Sequence, residues 1–300
     1  MKPVRKHNLA LGISFILIGT VFIALTDALG KWLTASYPIM QVAWVRGIVG
    51  IFLIAAFALA TGRTRQLRTH QPGWHLLRGA ISVVTMICLF YGLKHIPLAE
   101  FIAIVFSAPF FIALLSPRFL HEHVSRRSWI AIGIGFAGIL LVAHPTPGHF
   151  HPAHVATLTV TALVAVLVVS ARYLSTSETP LALNFYMYPF NVIVPAWWAL
   201  TDWVTPTATD WLLFLAIGIT STLAVSCGLQ AMRHARPATI APLDYVRLVW
   251  ITLLGYFIWG ELPGPITWIG IVVIVAAGIY VVTHGRAIPQ LGVEAGDKMG

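Results

Sequence analysis

The feature that most restricts this chain is a series of long apolar runs. Ten of them, bounded by Pro, Gly or charge clusters, cover residues 9–33, 39–60, 74–93, 97–119, 127–144, 153–173, 180–203, 208–232, 237–259 and 264–284. Each is near the ~20 residues that an α-helix needs to cross ~30 Å of hydrocarbon. Only helices and closed barrels satisfy their own backbone groups in lipid, and strand-like alternation is absent. The runs predict an all-α integral membrane protein with ten transmembrane helices. Composition agrees: 10% of the 300 residues are Asp, Glu, Lys or Arg, against about a quarter in soluble domains. That leaves too few charges to coat a soluble globule of this size. The eleven Trp and eight Tyr suit interfacial belts.

The net charge of +9 does not form a nucleic-acid patch. With the N-terminus in the cytoplasm, fifteen basic residues fall in inner segments: Lys2, Arg5, Lys6, Arg63, Arg65, Arg68, Arg78, Arg118, Arg126, Arg127, Arg172, Arg233, Arg236, Arg286 and Lys298. Outer loops hold only Lys94, and Lys31, Arg46 and Arg247 are intramembrane. This is the positive-inside pattern, with both termini cytoplasmic. The basic head "MKPVRKH" and the apolar stretch after it resemble a signal peptide. The stretch is too long for an h-region and lacks a convincing A-x-A site, so it reads as an uncleaved first span. Cys88 and Cys227 lie inside apolar runs and indicate neither a disulfide nor a metal framework.

The chain also repeats itself. "GAISVVTMICLFYGLKHIPLAE" (79–100) aligns with "GITSTLAVSCGLQAMRHARPAT" (218–239) at an offset of 139. Gly79 meets Gly218, Ser82 meets Ser221, Cys88 meets Cys227, Lys94-His95 meets Arg233-His234, and Ala99 meets Ala238. The same offset brings Glu122 onto Glu261 and Trp129 onto Trp268. Two five-helix repeats follow, 1–147 and 148–300, forming one transmembrane domain. Five is odd, so the second repeat is inverted. Inverted repeats are the usual architecture of secondary transporters, with a midplane site between the halves.

"YGLKHIPLAEFIAIVFSAPFFIALLSPRFLHEHVS" (91–125) and "QAMRHARPATIAPLDYVRLVWITLLGYFIWGELPG" (230–264) resemble paired segments of the drug/metabolite transporter superfamily, in its ten-helix EamA-type branch. Lys31 and Arg46, flanking the turn at Pro38, resemble that family's first-hairpin Lys and Arg. Glu122 and Glu261 match the Glu that closes each copy. The resemblance implies export or exchange of small metabolites, with amino acids, aromatic ones included, as the nearest cargo. Two departures alter intramembrane charge: Asp27 stands where the family commonly has Asn nearby, and Arg247-Leu248 where it commonly has Glu-Pro.

The candidate site is drawn from polar residues inside the spans. Asp244 and Arg247 interrupt the apolar "IAPLDYVRLVW". Each costs ~2.5–3.5 kcal/mol at a helix centre, while Leu, Ile, Val and Phe return only ~0.3–0.6 kcal/mol apiece. The ten such residues in 240–259 about cancel the cost, so the charges are expected to face a cavity and, three apart, to pair. An ion pair that only ties helices together is the structural alternative. Asp27 and Lys31, four apart, are expected to pair likewise. Arg46 is the candidate to attract a carboxylate. Asp27 and Asp244 are the proton-coupling candidates. Ser82, Ser107, Ser221, Tyr91, Phe101 and Tyr186 complete the candidate substrate-binding set, although small and aromatic residues at helical spacing are as readily explained by packing. Tyr188, Asn191 and Trp250 are further cavity candidates. Pro109 and Pro242 predict kinks, static or gating. Glu100 reads as a solvated helix-start acid.

No cofactor is implied: there is no P-loop, and no G-x-G spacing follows a soluble strand. His144, His149, His151 and His154 sit in a Pro-rich linker that is poorly suited to converging on zinc. "HEHVS" at 121–125 is not the H-E-x-x-H motif. The partners expected are the bilayer, here a bacterial inner membrane, and a small-molecule substrate. Nucleotide sugars and sugar phosphates are the alternative cargo. A lipid-modifying enzyme or a scaffold would be a non-transporting alternative, but the sequence lacks the interfacial His/Asp constellation or partner domain these would need.

Overall fold

The computed structural model describes residues 9–119, 126–143, 151–174, 177–234 and 241–284. Glu122, the "HEHVS" stretch, His144 and His149 lie outside them. The described residues form helices and turns, with no strand among them.

The first half holds α1 (Leu9–Ser36), α2 (Ile39–Ala60), α3 (Pro72–His95), α4 (Leu98–Val105), α5 (Ala108–Phe119) and α6 (Arg126–Ala143). The second half holds α7 (Pro152–Leu174), α8 (Pro180–Phe185), α9 (Met187–Thr201), α10 (Ala208–His234), α11 (Arg247–Trp259) and α12 (Pro265–His284). Short 3₁₀ turns at Thr64–Leu67 and Ala241–Val246 precede α3 and α11. Six helical stretches among the described residues are long and apolar enough to cross a bilayer.

Two of the apolar runs are broken by proline. α4 and α5 are separated at Phe106–Ser107, just before Pro109. α8 and α9 are separated at Tyr186, three residues before Pro189. Proline has no N–H to give the carbonyl four residues back, and its ring crowds the preceding turn. Within the break the Ser107 hydroxyl donates to the Ile104 carbonyl at 2.6 Å. Pro242 falls in the 3₁₀ turn that leads into α11. The break beside Pro109 falls where a kink was expected; Pro242, expected to kink a helix over 237–259, lies instead in a 3₁₀ turn ahead of the helix, and the break before Pro189 was not anticipated.

Glycines set the closest helix approaches. A Cβ on Gly79 of α3 would run into the Phe190 ring of α9, and one on Gly218 of α10 into Val49 of α2. Gly138 of α6 and Gly270 of α12 face each other, each meeting the other's carbonyl. Such contacts replace the hydrophobic drive that is missing between helices in lipid. α1 packs on α10, α3 on α7, α2 on α9 and α6 on α12. The outer surface is correspondingly oily: Phe52, Leu59, Ile193, Trp197, Phe257 and Val272 are exposed.

Two sets of loop bonds tie the halves together. Where α1 ends, Tyr37 donates to the Asp210 carboxylate at 2.6 Å. Beside it, Gln41 donates to the Val204 carbonyl at 2.7 Å and accepts from the Val204 N–H at 3.0 Å. At the opposite end, Glu178 is buried between the 64–71 and 177–180 loops. It accepts from the Thr69 hydroxyl (2.9 Å) and from the N–H groups of His70 (2.8 Å) and Gln71 (3.1 Å). The buried His75 ring lies 3.4 Å from its other oxygen. Burial alone would raise the Glu178 pKa, but the His70 and Thr69 hydrogen bonds, with the His75 ring close by, outweigh it and hold the carboxyl below its ordinary range.

Candidate functional site

Four charged residues of the interior, Asp27, Arg46, Asp244 and Arg247, come from α1, α2, the 3₁₀ turn before α11 and α11 itself. Asp27 of α1 is buried among apolar neighbours, and a carboxylate there requires a counter-charge. Its partner is Arg247, the first residue of α11, also buried and bonded to it through Nη2. The pair joins one half of the chain to the other. It also corrects the expectation that Arg247 pairs with Asp244 three residues away. The fully buried acid takes the guanidinium, and Asp244 keeps some accessible surface instead.

Lys31 behaves similarly. It does not pair with Asp27, four residues back, but reaches Glu261 in the loop between α11 and α12, with Nζ at 2.5 and 2.7 Å from the two carboxylate oxygens. It also donates to the Ile96 carbonyl at 3.3 Å and sits 5.1 Å from the Trp259 ring centre. Glu261 in turn accepts the Leu98 N–H, at the start of α4, at 3.1 Å. One ion pair therefore latches α1, the α3–α4 turn and the α11–α12 loop together.

Arg46 and Asp244 remain. Arg46 lies half-buried with its guanidinium 5.8 Å from the centre of the Phe90 ring. Among the described residues it has no hydrogen-bond partner, and its Nε is buried. Asp244 is also half-buried without a hydrogen bond among them. Asp27 interacts electrostatically with both, so the four charges form one group. The Trp44 indole N–H, the Tyr245 hydroxyl and the Thr252 hydroxyl are also buried without partners among the described residues.

The remaining predicted positions are dispersed. Ser82 donates to the Gly79 carbonyl at 2.8 Å and approaches the Asn191 side chain at 3.3 Å. Ser221, its repeat counterpart, donates to the Gly218 carbonyl at 3.0 Å. Phe101 is fully buried and packs on Gly92. Tyr91 stacks on His95 with ring centres 4.3 Å apart, and Tyr188 packs on Gly50. Tyr186 donates to the Leu67 carbonyl at 3.0 Å beside the Glu178 cluster. Trp250 is exposed. Glu100 is not merely solvated: His154 Nε2 lies 3.5 Å from it. No group of three or more His, Cys, Asp or Glu among the described residues is placed to hold a metal ion. Three features were missed from sequence: the Glu178–His75 cluster, Phe90 beneath Arg46, and the neutral cradle of Arg78. That residue is buried on α3 and donates at 2.6 Å to the Leu167 carbonyl and the Ser170 hydroxyl.

An all-helical, lipid-suited chain with a charged interior is a multi-pass membrane protein. Comparison with known proteins narrows this. The model of the EamA-like transporter family matches residues 10–143 and again 151–283, and the chain belongs to that family. The S-adenosylmethionine uptake transporter of Rickettsia bellii is 26% identical over 91% of this chain and 94% of its own length. The riboflavin transporter of Vibrio cholerae is 26% identical over 92% and 94%. The pseudopaline exporter CntI of Pseudomonas aeruginosa is 27% identical over 89% and 94%. A solved crystal structure at 21% identity superposes with a TM-score of 0.65 over 91% of this chain and 98% of that one, which shows the fold. The family and these relatives carry the names of transporters, which makes the chain a transporter of the EamA type.

Proposed function

We propose that the protein is a secondary transporter of a bacterial inner membrane. It moves small metabolites, amino acids and their derivatives foremost, outward by alternating access around the interior charges. Ten spans form two inverted five-helix repeats, 1–147 and 148–300, with both termini cytoplasmic. The observation that carries this reading is the group Asp27, Arg46, Asp244 and Arg247 at the contact between the halves. Charge inside a membrane protein is costly and marks a substrate or ion path.

Three further points support it. The family model matches twice, once per proposed repeat. The helix contacts come in pairs that exchange the halves: α1 on α10 with α3 on α7, and α2 on α10 with α3 on α9. Lys94 and its repeat counterpart Arg233 follow the charge bias only if the second copy is upside down. Nucleotide sugars fit less well. Such anions call for several converging cations, and of the three candidates Lys31 is held by Glu261 and Arg247 by Asp27.

The test is transport by purified protein in proteoliposomes, against a panel of amino acids, S-adenosylmethionine, riboflavin and nucleotide sugars. Accelerated movement of an amino acid or derivative is expected. If no compound moves faster than in protein-free vesicles, the reading fails.

A further inference from the structure

We infer that the groove between α6 and α12 is a site for one anionic phospholipid of the cytoplasmic leaflet. An acyl chain lies along its alanine floor, and the phosphate is held by Arg126 and Arg127. None of the interior charges lines this groove. The inference goes beyond transport and rests on the reading above only for the leaflet.

Arg127 shares a level with Tyr280, and Gly138 with Gly270, so α6 and α12 run antiparallel. Toward the start of α6 and the end of α12 a groove of about 500 Å³ lies between them. Its floor is made of small residues, of which Ala131 and Ala277 are buried. Its rims are Ile130, Ile134 and Val272, which are 65%, 53% and 63% exposed. Arg127 stands at its mouth. The seven steps from Arg127 to Ile134 rise about 10 Å. That is most of the ~15 Å of hydrocarbon in one leaflet, half of ~30 Å. An apolar furrow of this length, open on the lipid side, has the dimensions of an acyl chain.

The furrow alone does not choose its lipid, because all acyl chains are alike in apolarity. The charges at the mouth make the choice. Arg126 and Arg127 are exposed, and neither forms a hydrogen bond or ion pair among the described residues. A guanidinium takes a phosphate in two parallel bonds. Basic pockets between spanning helices on the cytoplasmic side suit acidic headgroups, and each arginine near the surface favours an anionic lipid about fivefold. The repeat supplies a contrast. At the offset of 139, Arg126 and Arg127 correspond to Pro265 and Ile266 at the start of α12. The helix pair thus carries this charge at one end only, which assigns the lipid to one leaflet. A second copy of the chain fits the groove less well. Across a two-fold axis along the membrane normal it would set its own Arg126 and Arg127 at the same depth, like charge against like.

The experiment is native mass spectrometry of purified full-length protein in detergent, supplied with equal amounts of phosphatidylglycerol and phosphatidylcholine of matched chains. One retained phosphatidylglycerol is expected, favoured over phosphatidylcholine by about tenfold or more. Arg126→Gln with Arg127→Gln should bring the two lipids near parity. Ala276→Leu, at an exposed position in the groove, keeps both arginines but fills the furrow. It should cut phosphatidylglycerol retention about fivefold or more, and Ile134→Trp repeats the test from the other helix. Arg63→Gln with Arg65→Gln removes equal charge from the exposed loop between α2 and α3 and should leave the preference unchanged. Thermal unfolding in the same detergent checks that each variant is folded. A native chain without the preference overturns the site, as does an equal loss in the loop variant or full retention in both filled grooves. A protein dimer that both groove-filling variants dissociate gives the groove to a second copy and also overturns it. Lipid retention is read without transport, so each of these failures leaves the transport reading standing, and inactive proteoliposomes leave this site standing.

Discussion

The Lys31–Glu261 latch gives the sharpest perturbation. It crosses from α1 to the α11–α12 loop and also holds the start of α4 through the Leu98 N–H. Opening a path to the interior from the face where α1 ends would separate these three elements and break the latch. Lys31 and Glu261 side chains are 10% and 28% exposed. Hydrogen bonds to charged groups are worth about 1.5–3 kcal/mol, and the partial exposure of Glu261 argues for about 2. That is a shift of about thirtyfold in an open–closed equilibrium. The reporter is Ala28→Cys, buried one turn deeper on α1, in a chain with Cys88 and Cys227 replaced by Ser. A membrane-impermeant thiol reagent is applied from the face where α1 ends. Lys31→Met and Glu261→Gln should each raise the labelling rate by about an order of magnitude or more, and the double variant should add little, since both remove one interaction. The exchanged pair Lys31→Glu with Glu261→Lys should restore only part of the closure, because an ammonium in place of the Glu261 carboxylate cannot accept from the Leu98 N–H. Labelling rates that match the unmodified background in both single variants, or that add fully in the double, would refute the latch.

Two more perturbations have definite expectations. Asp27→Asn leaves Arg247 buried without its counter-charge and should cost about 3–5 kcal/mol, whereas replacing both Asp27 and Arg247 by Leu should cost less; thermal unfolding in detergent checks the order, and a double variant weaker than either single contradicts it. Glu178 has a depressed folded pKa, so its contribution to stability is present above the ordinary Glu value of about 4.3 and is lost as pH falls below that value through the folded one. The melting advantage of the native chain over Glu178→Gln should hold near neutral pH and shrink below about pH 4; an advantage that grows on acidification reverses the sign and rejects the assignment.

What could be read from sequence divides along a physical line. The apolar runs anticipated where helix forms, because the demand that backbone groups pair within lipid acts on each run by itself, but not where it breaks: the runs at 97–119 and 180–203 each hold two helices, and within 237–259 α11 begins only at Arg247. The run at 39–60 became Ile39–Ala60, and that at 264–284 became Pro265–His284. The four interior charges were also legible, since a charge in an apolar run stands out wherever it ends up. Their partners were not. Spacing of three or four residues suggested Asp244–Arg247 and Asp27–Lys31, and an exposed helical pair of that kind is worth only about 0.2–0.5 kcal/mol. Burial changes the ranking, because a desolvated charge gains far more from several partners than from one adjacent in sequence. Lys31 obtains a carboxylate, a carbonyl and an aromatic ring at Glu261, Ile96 and Trp259. Asp27, too deep to share it, takes Arg247. Each outcome depends on a contact more than 200 residues away along the chain, which no local spacing encodes. The repeat offset did carry a trace of it: Glu261 stood out as the counterpart of Glu122. A glutamate recurring at the end of each repeat, in an otherwise apolar setting, signals that some distant cation must meet it.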